Sequence, residues 1–307
     1  MPLFSVIVPH LNQLDELDAC LTSLDKQTVK RPNFEVIVVD NGSTLPPDKV
    51  IARHPGTHLL QELDPGPGLA RNRGVQAARG DILCFTDADC RVHPNWLKNA
   101  YQTLSSSPEG TILGGDVRIW RDNRSTFTAL EAYESIFAYR FKLYIEQHGY
   151  SGTGNLVTRS TDFEKVGPFG GIHLAEDYDW GTRARAAGLT FRYAPEMIVF
   201  HPARRSIHEL FVKWDRHIQH QFYSVQNGKG WAARWVALAF AVLFSPVVDS
   251  VKVFTSNRIH GGSARVKALV VLIVVRAYRA WRMTALLTSK KTIVWNRVTT
   301  DPTQHRQ

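Results

Sequence analysis

Cysteine is scarce in this chain: Cys20, Cys84 and Cys90 are the only three in 307 residues. The number is odd and no CxxC pair occurs. This excludes a disulfide framework and a thiolate-built zinc site, and it fits a reducing compartment. A basic n-region is missing, because Met1-Pro2-Leu3-Phe4 leads straight into a strand-like run. No secretory signal is therefore expected. Internal repeats are missing too, which argues against a repeat array. Long apolar runs are also lacking. Trp235 to Val248 is 14 residues without a charge, interrupted by Pro246, and Ala268 to Val275 is eight. Both fall short of the about 20 apolar residues expected of a spanning helix. Acidic residues are absent between Ser250 and Thr300, where ten basic ones stand. These are Lys252, Arg258, Arg265, Lys267, Arg276, Arg279, Arg282, Lys290, Lys291 and Arg297.

That window accounts for the net charge of +9 and leaves the rest of the chain close to neutral. A near-neutral body thus carries a basic tail. A basic stretch can meet nucleic acid, anionic lipid or another part of the protein. Tyr278 and Trp281 lie among Arg276, Arg279 and Arg282, next to an apolar run. That mixture favours a helix lying in a membrane interface over nucleic acid. A helical hairpin packed on the body or in a homodimer is the rival. At 44% hydrophobic and 21% charged, the chain as a whole reads as folded.

Short apolar strands alternate with helical segments through the first third. Ser5 to Pro9, Phe34 to Val39, His58 to Leu60 and Ile82 to Phe85 read as strands. Leu14, Leu17, Leu21 and Leu24 mark a helix, as do Gly66 to Ala78 and Trp96 to Leu104. This predicts an α/β fold with a mostly parallel, doubly wound sheet. Further on, 126–146 and Ala175 to Ala187 read as helical, and Phe191 to Phe200 as extended. The expected division is one domain over 1–225, halved near 118, and a helical region over 226–307.

In such sheets ligands bind at the carboxyl ends of the strands. Asp40 ends one strand, and Asp87-Ala88-Asp89 follows another. These carboxylates should face one crevice. Hard oxygen ligands there suit Mn²⁺ or Mg²⁺ together with phosphate oxygens.

The order of segments resembles family 2 glycosyltransferases of the GT-A fold. The matching pieces are Ser5 to Pro9, Val38 to Ser43, Gly68-Leu69-Ala70-Arg71-Asn72-Arg73-Gly74 and Ala78-Arg79-Gly80-Asp81. They continue in Thr86 to Asp89, Pro94 to Leu97, Gly152 to Asn155, Val166 to Phe169 and Glu176-Asp177. The resemblance covers about 3–220. It implies that Asp40 accepts from the nucleotide base, with Pro9 and Asn41 lining the pocket and Arg71 a second contact. It implies a DXD motif in which Asp89 is the more direct metal ligand and Asp87, with Ala88, lies nearer the nucleotide. His201 stands where several relatives supply another metal ligand. The resemblance makes Asp177 the general base of an inverting transfer, with Glu176 the competing candidate. Gly154, Asn155 and Trp180 are candidates for the sugar site.

A QxxRW signature is not found. Trp231-Ala232-Ala233-Arg234-Trp235 keeps only its Arg-Trp end, so transfer of one sugar per encounter is expected. The expected reaction takes a nucleotide sugar, most often of UDP in this family. The acceptor would be a glycan, glycolipid or polyprenyl-linked hydroxyl at the cytoplasmic membrane face. Lys213, Trp214, Arg216 and Arg204/Arg205 form a basic, aromatic segment that would suit a diphosphate or an anionic lipid-linked acceptor. Two alternatives stand beside this. A sugar-nucleotide nucleotidyltransferase shares the layout, although no glycine-rich phosphate loop follows the first strand. A non-catalytic carbohydrate-binding subunit on the same fold is the other.

Overall fold

Strand β1 (Phe4–His10) and strand β2 (Phe34–Asp40) pair in parallel from Phe4↔Phe34 to His10↔Asp40, and every residue in both is buried. Parallel strands covered on both faces need such continuous apolar runs. The computed structural model describes residues 2–288 except 124, 173 and 227–229, and the side chains of 220 and 224 are likewise left out. Lys290, Lys291 and Arg297 of the basic tail lie outside the described residues.

Two units are formed, residues 1–120 with 140–202, and residues 121–139 with those from 203 onward. The first holds an eight-stranded sheet in the order β3-β2-β1-β4-β7-β6-β8-β5. Its remaining strands are β3 (Thr57–Gln61), β4 (Ile82–Phe85), β5 (Arg91–Val92), β6 (Thr111–Trp120), β7 (Leu156–Arg159) and β8 (Thr190–Pro202). The β3-β2-β1-β4 half is parallel throughout, as the alternating pattern predicts. Strand β7 then runs antiparallel to both β4 and β6, while β6 and β8 are again parallel.

Helices α1 (Leu14–Asp25), α2 (Asp48–Ile51), α3 (Pro67–Ala77) and α4 (Trp96–Ser105) follow β1, β2, β3 and β5. Leu17, Leu21 and Leu24 of α1 lock against Phe4, Val6 and Val8 on one face of the sheet. On the other face Ile7 and Phe85 pack with Phe163 and Trp180. The Ala78-Arg79-Gly80-Asp81 motif is structural. Arg79 holds the buried Glu35 with two guanidinium nitrogens, at 2.9 and 2.7 Å, and Gly80 N donates to Ser5 Oγ at 2.8 Å. A Cβ at Gly80 would stand 2.6 Å from the backbone of Phe4, so this approach requires glycine.

The single helix expected over 126–146 is not formed. Helix α5 (Ala129–Phe137) starts at a Thr128/Glu131 capping box and stops, and Tyr139 takes a left-handed φ of 40°. A short α6 (Phe141–Leu143) then runs into a π-helical turn, Tyr144–His148. The two pieces belong to different units. Helices α7 (Ser160–Val166) and α8 (Glu176–Ala186) complete the first unit.

The second unit is helical: α5, α9 (Ile207–Val225), α10 (Trp231–Thr255) and α11 (Gly262–Ala285). Helix α9 packs with these helices through Leu210, Ile218 and Phe222. The observed division therefore differs from the boundary expected at 225/226. The apolar runs also differ from expectation. Helix α10 is continuous over 25 residues, with a mean hydropathy of 1.8 in its most apolar window, long and apolar enough to cross a membrane. Pro246 does not break it. The missing N–H of Pro246 would leave the Val242 carbonyl unsatisfied, and Ser245 Oγ donates to that carbonyl at 2.8 Å.

Helix α11 carries its cations differently from the expected interfacial pattern. Arg276 pairs with Asp249 at 2.8 Å and Arg282 with Asp215 at 2.8 Å. Arg279 stacks on Trp214. The exposed face of α11 is instead Val266, Val270, Ile273, Val274 and Trp281.

Candidate active site

The carboxyl ends of β1, β2 and β4 bring His10, Asp40 and the 86–89 turn to one edge of the sheet. Asp40 is buried, and its carboxylate accepts from Ser43 N at 3.3 Å. Pro9 lies beside Val39 in register. Asn41 holds a loop: its Nδ2 donates to Glu62 O and Asp64 O at 2.8 and 2.7 Å, and its Oδ1 accepts from Gly66 N at 2.8 Å. Both ends of that amide are thus engaged by the protein itself. Asn12, with a left-handed φ of 56°, accepts from Thr44 N at 2.8 Å and stitches the β1 turn to the β2 turn.

His10 was passed over by the sequence reading. It is buried opposite Asp40, and both ring nitrogens lack a partner among the described residues. Burial lowers its pKa, against the opposing charges of Asp40 and Glu16. The signal available in the sequence was a polar residue ending a strand that is otherwise apolar toward α1.

Arg71, on α3, ties two distant carboxylates together. One terminal nitrogen donates to Asp87 Oδ1 at 2.6 Å and the other to Glu176 Oε1 at 2.7 Å. Its side chain is almost fully buried. Burial opposes its charge, but Asp87, Glu176 and Asp177 together raise its pKa further, so it stays cationic. Its neighbour Asn72 pairs with the Phe169 backbone through both amide atoms, at 2.9 Å each, which fixes α3 against the segment before α8.

Glu176 and Asp177 open α8 and differ in use. Glu176 is engaged by Arg71. Asp177 accepts only from Thr153 N, at 3.2 Å, among the described residues. Desolvation raises the Asp177 pKa to about 6, helped by Glu176 and opposed by Arg71 and the Thr153 hydrogen bond. A carboxyl tuned in this way can take up a proton near neutral pH.

Asp87, Asp89 and Cys90 bring ligand atoms within 4.8 Å of one another. Burial and the charges of Asp89 and Asp87 raise the Cys90 thiol well above its usual pKa, so it stays protonated. The donors suited to a hard cation are therefore the two carboxylates. His201, on β8, stands with Nε2 3.1 Å from Asp89 Oδ2 and Nδ1 2.7 Å from the Pro202 carbonyl. A backbone carbonyl on one ring nitrogen aims the other, as in metal-ligating histidines. Burial opposes its protonation, yet the Asp89 hydrogen bond and charge raise the His201 pKa. Asp87 and Asp89, with His201 beside Asp89, thus offer the donor chemistry that a divalent cation takes.

Three expected site residues are placed elsewhere or used otherwise. Trp180 does not face a sugar: it is 1% exposed, donates from Nε1 to Gly167 O at 2.9 Å and packs among Phe163, Phe169 and Phe191. The helical twist of α8 turns it into the core while Asp177 faces the site. Asn155 is fully buried. It accepts from Trp96 Nε1 at 2.9 Å and donates to Asp116 O and Met197 O at 2.9 and 2.8 Å, so no donor is left for a ligand. The Ala88 methyl packs in the core, which leaves only its backbone for a nucleotide. Gly154 does lie at the site, where an added Cβ would stand 2.8 Å from Asp87 Oδ2.

A sequence profile described as Glycosyl transferase family 2 matches residues 5–164, more than half of the chain. The chain belongs to this family. It is 35% identical over 212 residues to the glycosyltransferase AglE of Haloferax volcanii, a match spanning 66% of this chain and 68% of that protein. Among solved structures it resembles the mannosyltransferase PcManGT of Pyrobaculum calidifontis, solved in complex with GDP-Man and Mn²⁺. The TM-score is 0.60 at 20% identity, over 94% of this chain and 88% of that one. It also resembles residues 1–349 of S. aureus TarS, in complex with UDP-GlcNAc. There the TM-score is 0.53 at 18% identity, over 92% and 89%. The fold is that of GT-A glycosyltransferases. As a family 2 glycosyltransferase the protein is an enzyme of glycosyl transfer, which sets aside the nucleotidyltransferase and the non-catalytic subunit.

Proposed function

We propose that this glycosyltransferase moves one sugar per encounter from a nucleoside-diphosphate donor, UDP first, to an acceptor hydroxyl, with inversion at the anomeric carbon. The reading rests on one observation. Arg71 draws Asp87 and Glu176 into one ion cluster, and so sets Asp177 beside the carboxylates that suit a cation. Asp40 accepts from an N–H of the base, with Pro9 and the Asn41 loop shaping the pocket, and His10 offers an N–H to a base carbonyl. Asp87, Asp89 and His201 would hold Mn²⁺ or Mg²⁺, which when bound neutralises the leaving diphosphate. Arg71 keeps Asp87 oriented. Asp177 takes the proton of the acceptor hydroxyl as that oxygen attacks C1. Gly154 leaves room beside Asp87 for the donor.

The acceptor is a glycan or a polyprenyl-linked or glycolipid saccharide, and the enzyme works as a peripheral protein on the cytoplasmic membrane face. Support comes from α10, whose most apolar window is only 17% buried, and from the exposed apolar face of α11. Titration with UDP, dTDP and GDP, each with Mn²⁺ and with EDTA, tests the donor side. Metal-dependent binding of one nucleotide that is lost in Asp89→Ala is expected. Absence of binding by all three overturns the reading.

A further inference from the structure

The second unit gathers positive charge around the buried carboxylate of α5. Glu134 of α5 is 1% exposed; it accepts from Arg204 N at 2.7 Å and pairs with the Arg204 guanidinium. Lys213, Arg216 and His217 follow on α9 at helical spacing, on one face. The guanidinium carbon of Arg279, on α11, stands over the Trp214 ring, 3.8 Å from its centroid, and the Arg279 Nε is buried without a hydrogen-bond partner among the described residues. The Lys213 ammonium has an aromatic neighbour, the Tyr139 ring at 5.7 Å, but no ion pair among the described residues.

This excess of charge is felt by the groups themselves. Burial first, and then Arg204 and Arg216, push the Lys213 pKa down to about 8, although Glu134 pulls the other way. Desolvation and the charges of Lys213, Arg216, Arg279 and Arg204 hold His217 at about 4. Arg279 is lowered to about 10 by burial and by Arg276, although Tyr133 and Asp249 pull the other way. Lys213, half-buried with no ion pair among the described residues, and the buried Arg279 Nε are the groups here that an added anion would serve.

We propose that Lys213, Arg216, Arg204 and Arg279 form a binding site for a phosphate or diphosphate group. Three guanidinium forks and one ammonium match the several oxygens of a phosphoryl group better than a single carboxylate. The same unit exposes Phe240, Phe244, Val247, Val248 and Val251 along one face of α10. A phosphate carried on an apolar chain would satisfy both features. The inference therefore rests on the proposed lipid-linked acceptor and names the group of that acceptor which the protein grips. A soluble phosphate offers the same head chemistry.

Amine acylation of Lys213 in the full chain at pH 8, read by peptide mass spectrometry, tests this. The probes are inorganic pyrophosphate, phosphatidylcholine vesicles, and the same vesicles containing polyprenyl monophosphate. Expected is protection by pyrophosphate, by the polyprenyl phosphate vesicles, or by both, at least tenfold above plain vesicles. Protection by the vesicles alone identifies a lipid-borne phosphate, and equal protection by pyrophosphate a phosphate bound without regard to its carrier. Lys213→Gln should weaken binding of the protecting probe at least tenfold, and Lys213→Arg should keep it. No protection, equal protection by plain vesicles, or unchanged binding in Lys213→Gln overturns the proposal. Nucleotide titration run in parallel keeps the two readings apart: intact nucleotide binding without Lys213 protection sinks the phosphate site alone.

Discussion

Arg71 donates to Glu176 at 2.7 Å, and this ion pair separates two carboxylates that are adjacent in sequence. Glu176 is spent on a buried cation, while Asp177 keeps a proton affinity near neutrality. The roles of the two should therefore part on mutation. Asp177→Asn should lose about 10²–10⁴ of turnover while donor binding persists. Glu176→Gln should instead cost about 1–3 kcal/mol of stability, since Arg71 loses a charged partner while buried. Turnover and thermal unfolding measured on both variants check this. A Glu176→Gln enzyme as dead as Asp177→Asn at unchanged stability would reverse the assignment.

Activity should depend on pH through Asp177. A general base works deprotonated, and its pKa in the free protein is raised to about 6. The acid limb of kcat/KM should therefore rise with pH through about 6 and be absent in Asp177→Asn. A limb centred near the usual carboxylate pKa would exclude Asp177 as the titrating base.

The cation should be held jointly by two elements. His201→Ala and Asp89→Asn should each weaken Mn²⁺ binding by tenfold or more, a typical loss when a ligand or its support is removed. Electron paramagnetic resonance of Mn²⁺ with the full chain reads this directly. Retained affinity in His201→Ala would leave the carboxylates as the whole site.

Trp180 is core, so its removal should act on stability. Trp180→Ala should cost about 3–5 kcal/mol, as loss of a fully buried large aromatic does. Gly154→Ala should do the opposite, lowering activity at nearly unchanged stability, because its Cβ would press on Asp87 Oδ2. Denaturant midpoints and turnover compared for the pair test both. A Trp180→Ala enzyme with a normal midpoint and a raised acceptor KM would return Trp180 to the sugar site.

The exposed face of α10 should carry membrane contact. Phe244 is 64% and Val247 75% exposed, so replacing both with serine should leave the unfolding temperature unchanged. Each buried apolar side chain is worth about 1.5–3 kcal/mol, so liposome flotation should fall by more than tenfold. Equal flotation of the double variant would place the contact elsewhere.

Much of this molecule was written in its local sequence pattern. Apolar runs of strand length, leucines at helical spacing and turn residues at strand ends are short-range signals. The elements from β1 to α4, apart from the short α2 and β5, follow from them, as does the placing of Asp40, Asp87 and Asp89 at strand ends. The ordered motifs carried the family. Residue use was decided elsewhere. An asparagine amide or a tryptophan ring serves a ligand or the core equally well, and Asn155 and Trp180 went to the core because Trp96, Asp116, Met197 and Gly167 meet them there. That Glu176 rather than Asp177 is held in an ion pair is the work of Arg71, 105 residues away. The cations of α11, which by themselves look aimed at lipid, are turned inward by Asp215 and Asp249. Hydrogen-bond and charge partners distant along the chain are fixed only when the helices and sheet pack, and that packing assigned each side chain its task.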